Sequence, residues 1–125
     1  MELVKNFFSF TQTIKLHHWQ TESYAVHIAT DQLHTALLPL VDQFVEVYQG
    51  RHNKRVYSAS EPTVAIAVKQ CSEKEFIKFL SSSKEFLLSL ESLGFIQPST
   101  DNDLQNIRDE MLAQLNKTLY LLTFK

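Results

Sequence analysis

Imidazole and carboxylate groups recur along one stretch of this chain at spacings that suit a divalent metal ion. His27 and Asp31 are separated by one helical turn, and so are Asp42 and Glu46. On an α-helix that spacing places both members of a pair on one face, within reach of a common ion. A mixed nitrogen and carboxylate donor set suits iron. The two pairs cannot meet inside one chain, because the helix rises roughly 28 Å between His27 and Glu46. A twofold axis removes that difficulty. When two copies of a helix pair antiparallel, residues face each other wherever their numbers have a constant sum. His27 with Glu46 and Asp31 with Asp42 have the same sum, so one register sets both pairs face to face. Such a dimer would hold two identical sites, each shared between chains.

Other histidines are read against this pair. His18, near the end of the preceding helix, is expected at the same end of the molecule as His27, where it can supply a further imidazole. Trp19 beside it can form a wall against water. His34 falls opposite Pro39 in the same register and reads as an interface or surface residue. His17 lies on an apolar stripe and reads as a boundary residue of the core. His52, with Arg51, Lys54 and Arg55, forms a small basic cluster of the kind found in solvated loops. Taken singly, each of His27, Asp31, Asp42 and Glu46 also fits a hydrogen-bonded polar group on a wet helix face. It is their common register that favours a metal site.

The elements that must position these residues are helical. Leu3, Phe7, Phe10, Ile14 and His17 recur at steps of three and four, the stripe of an amphipathic helix ending near Trp19. Thr21 and Ser23 are candidate caps for a long second helix that is expected to run to about Gln49 and stop at Gly50, with a kink at Pro39. This helix carries two stripes. Leu33, Leu37, Leu40, Phe44 and Val47 suffice to bury it in its own bundle. A second stripe lies about 100° round the helix: His27, Asp31, His34, Leu38, Val41 with Asp42, Val45 and Tyr48. A helix inside a monomeric bundle needs only one apolar stripe, so the second predicts a further contact surface.

Residues 51–71 combine a basic start with the apolar run Val64–Val68, which fits a short helix or an extended piece; a short helix is the preferred expectation. Ser72 and Glu75 form a capping box for the third helix. Its buried stripe is Phe76, Phe79 with Leu80, Ser83, Phe86 with Leu87, Leu90 and Leu93, with Gly94 closing it and Pro98 in the turn. The fourth helix starts near Thr100 or Asp101 and carries Leu104, Ile107, Met111, Leu115, Leu119 and Leu122. Short connections join the first helix to the second and the third to the fourth. The long connection lies between the second and third. The expected fold is all-α, a single ferritin-like four-helix bundle with a long crossover between its second and third helices.

Composition excludes several alternatives. Two glycines and three prolines in 125 residues are too few for a many-turned β-sandwich or barrel. A net charge of −2 gives no reason to expect binding to nucleic acid or an anionic membrane surface. Cys71 is the sole cysteine, which excludes an internal disulfide and suits a reducing interior. No run is long enough to span a bilayer, and the first residues lack the pattern of a signal peptide, so a cytoplasmic location is expected. The third and fourth helices contain no histidine, and Glu85, Asp109 and Glu110 flank their stripes. A metal site inside the bundle is therefore not expected. Nor is there a glycine-rich phosphate loop, or a histidine partner for Cys71.

The series His18-Trp19, His27, Asp31, Asp42 and Glu46 resembles the ferroxidase signature of the Dps mini-ferritins, a branch of the ferritin-like superfamily. The stretches HHWQTESYAVH and VDQFVEVYQG also look like small ferritin-like proteins of phages and large DNA viruses. The intervals from His27 to Asp31, Asp42 and Glu46 match the Dps pattern. That from His18 to His27 is shorter, and the glycine often found there is absent. The resemblance implies non-haem iron as the metal, oxidised by peroxide or oxygen. It also implies that His18, His27 and Asp31 come from one chain and Asp42 and Glu46 from its twofold mate. Dps proteins that bind DNA often use a lysine-rich tail; this chain begins almost directly with its first helix, so DNA binding is not expected. The alternative is a non-enzymatic helical dimerisation or assembly module that keeps the fold without the metal chemistry.

Overall fold

A computed structural model describes residues 2–124. Four helices follow in order: α1 (Glu2–Gln20), α2 (Tyr24–His52), α3 (Glu73–Leu88) and α4 (Asn102–Leu121). There is no strand among the described residues, and no helix is long and apolar enough to cross a membrane.

The stripes account for the packing. Leu3, Phe7, Phe10, Ile14 and His17 of α1 are all buried, as are Leu33, Leu37 and Phe44 of α2. Phe76, Leu80 and Leu87 of α3 and Leu104, Ile107, Met111 and Leu115 of α4 complete one continuous core. Helix α2 packs against both α1 and α4, and α3 packs against α4. Ser23 caps α2 by accepting the Val26 amide at 3.3 Å. At the start of α3 the Ser72 hydroxyl accepts the Glu75 amide while the Glu75 carboxylate accepts the Ser72 amide, so two helix-end donors are satisfied reciprocally.

Several boundaries differ from the sequence expectation. Helix α2 continues through Gly50 to His52, because Asn53 adopts the left-handed conformation (φ 49°) and caps the helix end on Gln49. Pro39 leaves α2 unbroken; it sits on the exposed side, where solvent can take the carbonyl that its missing N–H leaves free. Helix α3 ends at Leu88, short of Gly94. A series of turns follows, closing at Gly94 with φ +86°, and Leu93 is exposed. Nor is the basic cluster a free loop. The Arg51 guanidinium donates to Asp101 and to the Thr100 carbonyl, both at 2.7 Å, and so ties the end of α2 to the start of α4.

The expected short helix within residues 51–71 is replaced by an irregular strap. Its path follows from three contacts. Val56 donates its amide to Gln49 near the end of α2, Ser9 donates to the Ala67 carbonyl, and Gln20 donates to the Cys71 carbonyl at the far end of α1. The strap therefore returns along α1 for the length of the bundle, and α3 starts at the end where α2 starts. At that junction the His17 Nε2 lies 3.2 Å from Glu73, and the ring stacks on Phe76 with centroids 4.0 Å apart. His17 is thus part of the core, with its Nδ1 sealed and without a partner among the described residues.

Candidate metal centre

The centre is built on the hairpin of α1 and α2. A three-residue turn, Thr21 to Ser23, reverses the chain. It brings His18, in the last turn of α1, against His27, in the first turn of α2. The two imidazoles stack, with centroids 3.9 Å apart and planes inclined by 16°. Each ring reaches across to the other's backbone. His18 Nδ1 lies 2.8 Å from the His27 carbonyl, and His27 Nδ1 lies 2.9 Å from the His18 carbonyl.

That reciprocity settles the tautomers. A carbonyl oxygen only accepts, so both Nδ1 atoms must carry a proton. In a neutral ring the lone pair is then left on Nε2. Neither Nε2 has a protein hydrogen-bond partner among the described residues, and neither is sealed from solvent. An imidazole held through Nδ1–H by a carbonyl, with Nε2 free, is how proteins orient histidines that bind metals. Thr30 backs this arrangement. It is buried, its hydroxyl donates to the Val26 carbonyl at 2.7 Å, and it lies 3.3 Å from His18 Nδ1. Thr30 was invisible to motif reasoning, since a threonine one turn beyond His27 looks like ordinary helix filling.

Asp31 and His34 continue the same side of α2. Burial holds His34 below its usual value of 6.5, with Lys15 and His18 pushing the same way and Asp31 opposing them. His34 thus faces the charges of this patch, and the folded chain favours its neutral form. Lys15 also lies over the Trp19 ring, 5.8 Å from its centroid. Trp19 is 69% exposed.

Asp42 and Glu46 lie near the other end of α2, both exposed. Their carboxyl groups meet. When protonated, the Glu46 carboxyl donates to Asp42, and that bond together with the Asp42 charge holds Glu46 above its usual value of 4.5. Two neighbouring carboxylates that raise each other's proton affinity form an acidic pair that a cation would relieve. Among the described residues no three His, Cys, Asp or Glu side chains of one chain come close enough to hold a metal. The structure therefore brings together His18 with His27, and Asp42 with Glu46, but not the two sets.

Between them runs the outer face of α2, away from the core stripe. Leu38, 47% exposed, lies near its middle, with Tyr24 and Ile28 towards its start. Cys71 plays no part in this region. Burial and the neighbouring Glu75 push its thiol up, away from the reactive thiolate form.

The chain belongs to a family of unknown function (DUF5856), whose model matches residues 18–122, a span containing all five candidate ligands. No curated protein and no solved structure matches the chain.

Proposed function

We propose that this protein takes Fe(II) as substrate and oxidises it at sites shared between two copies, as a ferritin-like protein of the Dps type. The observation that carries this reading is the reciprocal clasp of His18 and His27, which leaves a lone pair on each Nε2 at a surface-reaching edge. Each ring closes one contact through Nδ1, and its Nε2 stays open for a ligand.

Three further features support it. The long connection between α2 and α3 is the connectivity of ferritin-like bundles. The acidic pair Asp42 and Glu46 has no ion-pair partner among the described residues and lies in the register that sets it against His27 and Asp31 of a mate. Leu38, exposed on the same face, falls opposite Thr35 in that register, so apolar surface is covered when the carboxylates meet the histidines.

In this arrangement His18 and His27 donate through Nε2 and fix where the metal sits. The partner's Asp42 and Glu46 supply negative oxygen donors, which favour the more highly charged Fe(III) product; Asp31 is not gathered with the two histidines in the single chain, so its side chain must swing towards them to join the set. Iron supplies the electron, and peroxide or oxygen accepts it. Because Asp42 raises the proton affinity of Glu46, a metal competes there with a proton, and affinity rises as pH rises through the folded-state value of Glu46.

A second reading, a helical assembly module without metal chemistry, is favoured by one observation. Tyr24, Ile28, Leu121 and Phe124 line an open apolar groove of about 380 Å³ that none of the five ligands borders. Calorimetric titration of the metal-free protein with Fe(II) under anaerobic conditions separates the two. Saturation at about one or two ions per chain is expected for a shared site with open positions. Absence of heat, in a sample that is folded and dimeric, leaves the assembly module.

A further inference from the structure

The strap between α2 and α3 is drawn out rather than coiled. Ser9 and Gln20, which hold the carbonyls of Ala67 and Cys71, are roughly 16 Å apart along α1. The four residue steps from Ala67 to Cys71 reach only roughly 13 Å when extended, at roughly 3.3 Å each, so this stretch must be drawn out, with the Ser9 and Gln20 side chains reaching across the remainder. The backbone N–H groups of Thr63 to Gln70 have no hydrogen-bond partner among the described residues. Ser9 takes the Ala67 carbonyl, so one edge of the segment faces α1. In an extended chain the backbone groups of Val64, Ile66 and Val68 then point to the opposite edge.

An extended, unpaired segment rich in β-branched residues is a template for another strand. Its sequence indicates which. Val64-Ala65-Ile66-Ala67-Val68 reads the same in both directions. Placed antiparallel against itself, it sets Ile66 opposite Ile66, Val64 opposite Val68 and Thr63 opposite Lys69. Glu61 then lies diagonal to the mate's Lys69 at both ends, an opposite-charge pair within reach across a two-stranded ribbon. Neither residue forms an ion pair within its own chain among the described residues. Pro62, without an N–H, ends the ladder. Ile66 and Val68 are 36% and 41% exposed, so pairing covers apolar surface that is wet in the single chain.

We infer that residues 63–69 pair with the same segment of a second copy as an antiparallel β-ribbon about a twofold axis at Ile66. This surface is separate from the outer face of α2. Ser9 and Gln20 lie roughly opposite His18 round α1, so the strap runs on the flank of α1 away from the histidine clasp. A chain with two different self-complementary faces assembles beyond a dimer. The inference stands whether or not iron binds.

Disulfide trapping tests it, in the full chain with Cys71→Ser as background. Directly opposed residues of a hydrogen-bonded antiparallel pair have Cα atoms about 5.5 Å apart, inside the range a disulfide bridges. Ile66→Cys is therefore expected to cross-link to its mate under mild oxidation. Val64→Cys alone is expected not to, because its mate is Val68, and the double variant Val64→Cys with Val68→Cys is expected to cross-link again. Ile66→Pro, which removes the central donor outside the helical core, is expected to halve the solution mass measured by light scattering. No cross-link from Ile66→Cys, equal cross-linking from Val64→Cys alone, or an unchanged mass in Ile66→Pro would overturn the inference.

Discussion

Replacing Glu46 with alanine is expected to weaken Fe(II) binding by at least about 100-fold, the upper end of what even outer-shell changes cost a metal site, while leaving the fold intact. The two halves of that expectation have separate causes. Glu46 is exposed and contributes nothing to the core. In the free chain its carboxyl is held above 4.5 by Asp42. Below pH 4.5 this interaction contributes fully to stability; as pH rises through the folded-state value, the contribution is lost and like-charge repulsion takes its place. At neutral pH the metal-free variant should therefore be at least as stable as the parent. Thermal unfolding and anaerobic titration of the same sample check both halves. Binding within about threefold of the parent would remove Glu46 from the ligand set.

Phe44, two residues from Asp42 but on the opposite side of α2, is expected to behave in the reverse way. Its side chain is fully buried and meets the Phe7 ring edge-to-face with centroids 5.5 Å apart. Truncation to alanine removes that contact and leaves a void in the core, which costs about 3–5 kcal/mol. Against a total stability of about 5–15 kcal/mol for a domain of this kind, that loss should shift the urea midpoint substantially. A change below about 1 kcal/mol would mean that α2 is not held in the bundle by this stripe. The contrast between Phe44 and Glu46 tests the view that α2 carries two faces with two tasks.

The four helices were legible because their stripes are long and unbroken. Leu3 through His17 recur over about four turns and are buried as a set, and the capping box at Ser72 and Glu75 marks the start of α3 to the residue. Pairing of Asp42 with Glu46 also followed from spacing alone, since helical geometry fixes it. What failed depended on information that periodicity does not carry. Five apolar residues, Val64 to Val68, suit a helix turn or a strand equally well; the choice was made by the distance the strap must cover between α2 and α3. The end of α2 was misplaced because glycine is only a frequent stop, and here Asn53 supplies the left-handed cap instead. The histidine clasp was out of reach for a related reason. Spacing put His18 and His27 at one end of the molecule, but which ring atom meets which carbonyl depends on how the Thr21–Ser23 turn sets α1 against α2.

The central claim is that each metal site takes ligands from two chains, and mixed dimers test it most directly. His27→Ala and Glu46→Ala are prepared separately, and each alone is expected to bind no Fe(II). When the two are unfolded together and refolded as an equal mixture, about half the dimers contain one chain of each kind by random pairing. In such a dimer the intact His27 of one chain meets the intact Glu46 of the other at one of its two sites, while the second site lacks both. The mixture should therefore recover about one quarter of the parent's Fe(II) capacity. If it recovers none while the parent binds normally, the ligands belong to a single chain and the shared site is wrong.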